Sequence, residues 1–122
     1  MKTGKFSFAA RIRSFRYAFR GIWLMIREEH NAWIHLTVVA ILIPVCIVLH
    51  LTEIEWALII LCIGLVLAME LINSAIERLA DKISRTRDED IGKIKDLAAG
   101  AVLISAIAAA AVGLIILLPK IL

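Results

Sequence analysis

Three long apolar stretches constrain this chain more than any other feature of its sequence. They are IHLTVVAILIPVCIVLHL (34–51), WALIILCIGLVLAMELINSAI (56–76) and LAAGAVLISAIAAAAVGLIILLP (97–119). Each approaches the roughly 20 residues that a helix needs to cross the core of a bilayer. The chain is 61% hydrophobic, well above the roughly 45–50% of soluble domains. We therefore predict an all-α membrane protein in which residues 1–122 form a single domain with three transmembrane helices.

The first 30 residues predict a different kind of helix. Apolar side chains recur every three or four residues along one stripe: Phe8, Ile12, Phe15, Phe19, Ile22 and Ile26. Arginines lie to one side of that stripe: Arg13, Arg16, Arg20 and Arg27. This pattern is typical of an amphipathic helix lying in the membrane interface. A helix packed on a soluble domain would show the same pattern, so that alternative stays open.

The basic residues predict how the chain crosses the membrane. Of the 14 Lys and Arg residues, 13 fall within 1–30 or 77–96, and the remaining one is Lys120. The short turn TEIE (52–55) has none. Basic residues concentrate on the cytoplasmic side of membrane proteins. We therefore predict that the N-terminus and the second connection face the cytoplasm, and that the 52–55 turn and the C-terminus face outward.

Polar residues interrupt the end of the second apolar span, in MELINSAIERLAD (69–81). On a helix Glu70, Asn73, Glu77 and Asp81 fall within about 80° of one another. Glu70 lies about six residues inside the expected cytoplasmic boundary, roughly 9 Å deep. A carboxylate at that depth costs a few kcal/mol and usually marks function. The alternatives are a neutral or structurally paired Glu70, an Asn73 that bonds a neighbouring helix and a solvated Glu77.

Further charged residues are expected at the same depth. Glu28 and Glu29 close the first helix, and Lys95 and Asp96 precede the third span. A pair of carboxylates suits Mg²⁺, which takes oxygen ligands, and a lysine can hold a phosphate as a point charge. Together with Glu70 as a base candidate, this set fits phosphoryl transfer to a lipid hydroxyl. The histidines are not spaced as metal ligands, and we assign polar interfacial roles to His30, His35 and His50.

The motif ELINSAIERLAD, followed by KDLAAGAVL, resembles the bacterial diacylglycerol kinase and undecaprenol kinase family. The family pattern is Glu-x-x-Asn-x-Ala-Ile-Glu, then Asp, then Lys-Asp before a helix of small residues. The matching positions here are Glu70, Asn73, Ala75, Ile76, Glu77, Asp81, Lys95 and Asp96. The likeness covers nearly the whole chain, including EHNAWIHL and EIEWALIIL.

This resemblance implies a homotrimer in the inner membrane of a bacterium, with active sites shared between subunits. It implies that ATP and Mg²⁺ bind at the cytoplasmic surface without a P-loop, and it implies no nucleic-acid partner. By family role, Glu70 resembles the general base and Asn73 an active-site polar residue. Glu29 and Glu77 resemble the metal carboxylates, which contact the nucleotide through the metal. The remaining nucleotide contacts would be Tyr17, Lys95 and Asp96.

Two segments depart from the family pattern. Many members read Glu-Tyr-His-Pro-Leu-Ala-Lys where this chain has TRDEDIGK (86–93), so no histidine contact to nucleotide is carried over. Trp33 stands where a basic residue is common.

The leading interpretation is an ATP- and Mg²⁺-dependent lipid kinase that favours undecaprenol, because NAWIHL and EIEWALIIL look more like that branch. A kinase that converts diacylglycerol to phosphatidic acid is the main alternative. A small cation-coupled transporter and a structural membrane subunit are more remote, because the polar face lies in one leaflet and Glu70 is deep.

Overall fold

Four helices make up the computed structural model, which describes residues 5–84 and 88–122. They are α1 (Phe8–Glu28), α2 (His30–Val48), α3 (Glu53–Ile83) and α4 (Glu89–Ile121). The described residues contain no strand, so the prediction of an all-α fold with an N-terminal helix is confirmed. Residues 1–4 of the predicted 1–30 helix lie outside the described residues. So do the first two residues of the atypical 86–93 segment.

Polar side chains cap the starts of three helices. Ser7 Oγ accepts a hydrogen bond from the amide of Ala10 at the start of α1. Thr52 and Glu55 form a capping box at the start of α3, in which each side chain accepts from the other residue's amide. Asp88 accepts from two amides in the first turn of α4. These caps satisfy amides that have no partner within the helix.

The connection between α2 and α3 differs from the predicted turn at 52–55. Helix α2 ends at Val48, and Thr52 is already the N-cap of α3. His50 turns the chain with φ 53, in the left-handed region that side chains rarely adopt. The turn therefore lies at 49–52, because the capping box draws residues 53–55 into the helix.

Helices α2, α3 and α4 are each long and apolar enough to cross a membrane, which confirms three spanning helices. Helix α3 continues past the predicted 56–76 span to Ile83, and α4 begins before the predicted 97–119 span, at Glu89. Helix α2 begins before residue 34 and ends before residue 51. Because α3 runs without a break from Glu53 to Ile83, the polar stripe from Glu70 to Asp81 lies on one helix.

The helices pack mainly through α3 and α4, which run beside each other. A core cluster lies around the 49–52 turn and is formed by Cys46, Leu51, Ile59 and Ile116. At this end Lys120 Nζ lies 3.1 Å from Glu55 Oε1, which joins the end of α4 to the start of α3. Most large apolar side chains elsewhere are exposed in the isolated chain. Such a surface suits lipid or neighbouring subunits rather than water.

Candidate functional site

Glu70 is buried at 3% exposure and is held by two side chains of α2. Asn31 Nδ2 lies 3.4 Å from Oε1, and His35 Nε2 lies 3.2 Å from Oε2. Asn31 and His35 are four residues apart, so they share one face of α2. Each carboxylate oxygen of Glu70 therefore has its own polar partner. A buried carboxylate needs such partners because burial of the charged form without them is costly.

Asn73 and Ser74 lie one helical turn beyond Glu70 and are also buried. The side-chain oxygen of Asn73 has no hydrogen-bond partner among the described residues. A buried acceptor without a donor costs about 1–3 kcal/mol. This oxygen is therefore suited to receive a hydrogen bond from a bound molecule or from a neighbouring subunit.

Glu29 forms an ion pair that joins the end of α1 to α3. Arg78 Nη2 lies 3.2 Å from Glu29 Oε1 and 3.4 Å from Glu28 Oε1. A cavity of about 150 Å³ lies between these helices, with Glu29, Ser74 and Arg78 on its wall. All three ion-pair partners are partly exposed, so the pairing contributes only about 0–1 kcal/mol. The contact still shows that Glu29 is placed to receive positive charge.

The carboxylates at this end of the bundle can supply part of the ligands that a hard divalent cation needs. Glu29 already contacts a cationic group, and carboxylate oxygens are the ligands that Mg²⁺ prefers. No group of three or more His, Cys, Asp or Glu within residues 5–84 and 88–122 is arranged to hold a metal alone. Mg²⁺ commonly binds through one or two carboxylates, and phosphate oxygens and water supply the remaining ligands.

Lys95 pairs with Asp81, the last residue of the polar stripe predicted on α3. Its Nζ lies 2.5 Å from Asp81 Oδ1. The residue precedes the apolar 97–119 span, so it lies outside the membrane-spanning segment. The hydrogen bond that Lys95 donates to Asp81 raises the pKa of Lys95, partial desolvation opposes this, and the charges of Asp81 and Glu77 add to the increase. Lys95 is therefore held as an ammonium ion near the end of α3.

The remaining predicted residues lie apart from this set in the isolated chain. Tyr17 is exposed on α1, and Asp96 is exposed next to Lys95 on α4. Sequence reasoning did not predict the contacts of Asn31 and His35 with Glu70. It also did not predict the ion pairs of Arg78 with Glu29 and of Lys95 with Asp81. The four-residue spacing of Asn31 and His35 was the one local signal that they share a helix face.

A second, apolar cavity of about 290 Å³ lies between α2, α3 and α4. Its wall includes Val39, Ile63 and Val66, and small residues of α4 such as Ala110 and Gly113. His35 also lines this cavity. The imidazole that contacts Glu70 therefore also borders an apolar space within the bundle.

These features define a multi-pass membrane protein with a buried carboxylate and two groups of paired charges toward one end of its bundle. Residues 16–117 match the model of the prokaryotic diacylglycerol kinase family, and the chain belongs to that family. It is thus a lipid kinase, a phosphotransferase of the bacterial membrane.

Individual relatives carry two different names. An undecaprenol kinase of Bacillus subtilis is 38% identical over 108 residues, which cover 88% of each chain. A diacylglycerol kinase of Synechocystis is 40% identical over 110 residues, which cover 89% of this chain and 63% of that protein. A diacylglycerol kinase of Haemophilus influenzae is 38% identical over 95 residues, which cover 77% of this chain and 80% of that protein.

Proposed function

We propose that this lipid kinase transfers the γ-phosphate of ATP, with Mg²⁺, to the hydroxyl of undecaprenol. The observation that supports this most directly is the buried carboxylate of Glu70, held by Asn31 and His35. A lipid alcohol places its hydroxyl near the membrane surface, where a base inside the bilayer edge can reach it. Diacylglycerol, whose product would be phosphatidic acid, is the second candidate acceptor.

Glu70 is the proposed general base. The acceptor oxygen bonds to the γ-phosphorus while its proton passes to Glu70. The bond from the γ-phosphorus to the oxygen that bridges to the β-phosphate breaks, and ADP leaves with that electron pair. Because Asn31 and His35 contact the carboxylate before substrate arrives, little reorganisation is needed at the moment of reaction. The polar atoms of Asn73, one turn away, are suited to hold the acceptor or a phosphate oxygen.

Nucleotide binding is assigned to the charged residues nearer the end of the bundle. Glu29 and Glu77 are the proposed Mg²⁺ carboxylates, and Mg²⁺ bound there would neutralise charge on the phosphate oxygens. Lys95 is proposed to contact a phosphate as a point charge. Tyr17 and Asp96 are proposed to contact the rest of the nucleotide. Their exposure in the isolated chain leaves both residues accessible to a ligand or to a neighbouring subunit.

We further propose a homotrimer with active sites shared between subunits, and a cytoplasmic N-terminus. Small residues occupy the start of the third span, where Ala99 and Ala101 are exposed. Such residues let helices of neighbouring subunits approach closely. The concentration of Lys and Arg at one end of the bundle supports the orientation.

The test of the proposed function is the Glu70→Gln variant. Gln has the same shape but cannot accept the hydroxyl proton, and a positioned base contributes about 10²–10⁴-fold to the rate. Turnover is measured with undecaprenol and ATP in detergent micelles, and folding is checked by thermal unfolding. Glu53→Gln, at the exposed other end of α3, is the matched control and should keep its turnover. A Glu70→Gln protein that retains more than about a tenth of the wild-type turnover contradicts the base assignment.

A further inference from the structure

Two hydrogen bonds from α2 hold the buried carboxylate of Glu70, and they differ in their surroundings. His35 Nε2 lies 3.2 Å from Oε2, and the side chain of His35 is 23% exposed. Asn31, on the exposed side, reaches Oε1 at the longer distance of 3.4 Å. The His35 contact is therefore the shorter of the two and the better shielded from solvent.

We propose that His35 is a positioning residue that fixes the direction of the Glu70 carboxylate toward the lipid acceptor. This inference rests on the proposed role of Glu70 as the base. A glutamate has three rotatable bonds, and its two oxygens become equivalent when neither is anchored. With His35 on Oε2 and Asn31 on Oε1, the plane of the carboxylate is fixed. Each carboxylate oxygen can accept more than one hydrogen bond, so a further lone pair of Oε1 can take the proton of the acceptor hydroxyl.

The position of His35 makes this role specific to the side chain and not to the packing of α2. The imidazole contacts the carboxylate, and His35 also lines the apolar cavity together with Val39 and Ile63. An apolar residue of similar size at position 35 would fill the same space but would offer no donor. The carboxylate would then be buried with one oxygen unbonded, and it would turn away from its reactive direction. Misplacement of a catalytic group by about 1 Å costs on the order of 10²-fold in rate.

Three substitutions of His35 separate the hydrogen bond from the volume. His35→Gln keeps an N–H donor that reaches as far as imidazole Nε2, and we expect its kcat to stay within about fivefold of wild type. His35→Leu keeps the volume without a donor, and His35→Asn keeps a donor that is too short to reach Glu70. Both should lower kcat by roughly 10–100-fold and leave the KM for ATP unchanged. The Asn variant preserves the test if the Leu variant does not fold.

A double variant shows whether His35 acts through Glu70. His35→Leu combined with Glu70→Gln should be no slower than Glu70→Gln alone, because residues that act as a unit are not additive. Thr37→Val is the matched control on α2. Its hydroxyl donates to the Trp33 carbonyl of the same helix, so kcat should not change.

The results distinguish this inference from the proposed function. If Glu70→Gln is active, the base assignment fails and the His35 role fails with it. If Glu70→Gln is inactive while His35→Leu and His35→Asn keep kcat within about threefold of wild type, only the His35 inference fails. Equal losses in the Gln, Asn and Leu variants would also overturn it, because they would indicate a need for imidazole itself and not for a correctly placed donor.

Discussion

Lys95 Nζ lies 2.5 Å from Asp81 Oδ1, and this ion pair joins the first turns of α4 to the last turns of α3. The residue proposed to contact a nucleotide phosphate is therefore already held by a carboxylate. Asp81 fixes the lysine near Glu77, whose negative charge also acts on it. A lysine held in this way loses less side-chain entropy when it binds a phosphate.

We expect the Asp81→Asn variant to lose ATP binding at a lower pH than wild type. The hydrogen bond that Lys95 donates to Asp81 raises the pKa of Lys95, so the ammonium ion persists below that raised pKa and is lost as the pH rises through it. An amide cannot stabilise the ammonium ion as a carboxylate does. The measurement is kcat/KM for ATP between about pH 8 and pH 11. Asp90→Asn is the control, because it changes an exposed carboxylate in the first turn of α4. If the pH profiles of Asp81→Asn and Asp90→Asn coincide, the expectation is contradicted.

The fold was predictable because the bilayer limits what an apolar segment can form. Three segments of about 20 apolar residues have few alternatives to spanning helices, and the 3–4 spacing after Phe8 indicated the amphipathic helix. The ends of the helices were harder to predict from the sequence. An apolar window reports the thickness of the bilayer and not the length of the helix, so the spans gave neither the end of α3 at Ile83 nor the start of α4 at Glu89. Only the polar stripe indicated that the second helix continues to Asp81. The cap of α3 was misassigned as a turn for the same reason.

The candidate site was predictable only along one helix. The stripe that holds Glu70, Asn73 and Glu77 follows from helical geometry. Its partners come from distant positions, since His35 meets Glu70 across 35 residues and Arg78 meets Glu29 across 49. No local pattern encodes such pairings, because they depend on how the helices pack.

Glu77 is expected to act through the metal. A neutral amide is a poorer ligand for a hard cation than a carboxylate, so Glu77→Gln should raise the Mg²⁺ concentration needed for half-maximal activity. The measurement is a Mg²⁺ titration of turnover at fixed ATP. Glu53→Gln, an equal change of charge at the other end of α3, controls for the loss of a negative charge. A Mg²⁺ requirement unchanged from wild type would remove Glu77 from the metal site.

Arg78 is expected to compete with the metal for Glu29. Its guanidinium contacts this carboxylate at 3.2 Å, and an exposed ion pair is worth about 0–1 kcal/mol. Arg78→Gln should therefore lower the Mg²⁺ requirement by only a few-fold, in the direction opposite to Glu77→Gln. Lys82→Gln, one turn further along α3, has the same change of charge and serves as the control. An equal effect in both variants would show a general loss of positive charge and no specific competition.

Shared sites in a homotrimer predict complementation between inactive subunits. Glu70 lies on α3 and Glu29 lies between α1 and α2. If a site takes the two residues from different subunits, mixed trimers can hold one intact site. Co-expression of Glu70→Gln with Glu29→Gln should then restore part of the wild-type turnover. Co-expression of Glu70→Gln with Asn73→Ala, two changes on the same helix and close together, should restore none. No recovery from the first pair at any ratio would indicate that each subunit supplies both residues.

The last prediction concerns the lipid acceptor, and it depends on the small number of polar groups in the membrane-spanning helices. Diacylglycerol presents ester carbonyls near its hydroxyl, whereas undecaprenol is a single unsaturated chain. A site that hydrogen-bonds those carbonyls would reject an acceptor without them strongly, while an apolar site discriminates weakly. Beyond Glu70 and Asn73, the spans offer the hydroxyls of Thr37, Ser74 and Ser105. The hydroxyl of Thr37 already donates to the Trp33 carbonyl of its own helix. The hydroxyl of Ser105 already donates to the Val102 carbonyl of its own helix.

We therefore expect a tolerant kinase that favours undecaprenol and retains measurable activity on diacylglycerol. The large apolar cavity between α2, α3 and α4 is consistent with weak discrimination between hydrocarbon chains. The measurement is kcat/KM for both lipids in the same mixed micelles, with Ser74→Ala beside the wild type. Since Ser74 is the hydroxyl nearest Glu70 along α3, its loss should reduce activity on diacylglycerol more than on undecaprenol if the carbonyls are read there. A wild-type ratio that favours diacylglycerol by about tenfold or more would reverse the assigned preference and leave the lipid kinase activity itself intact.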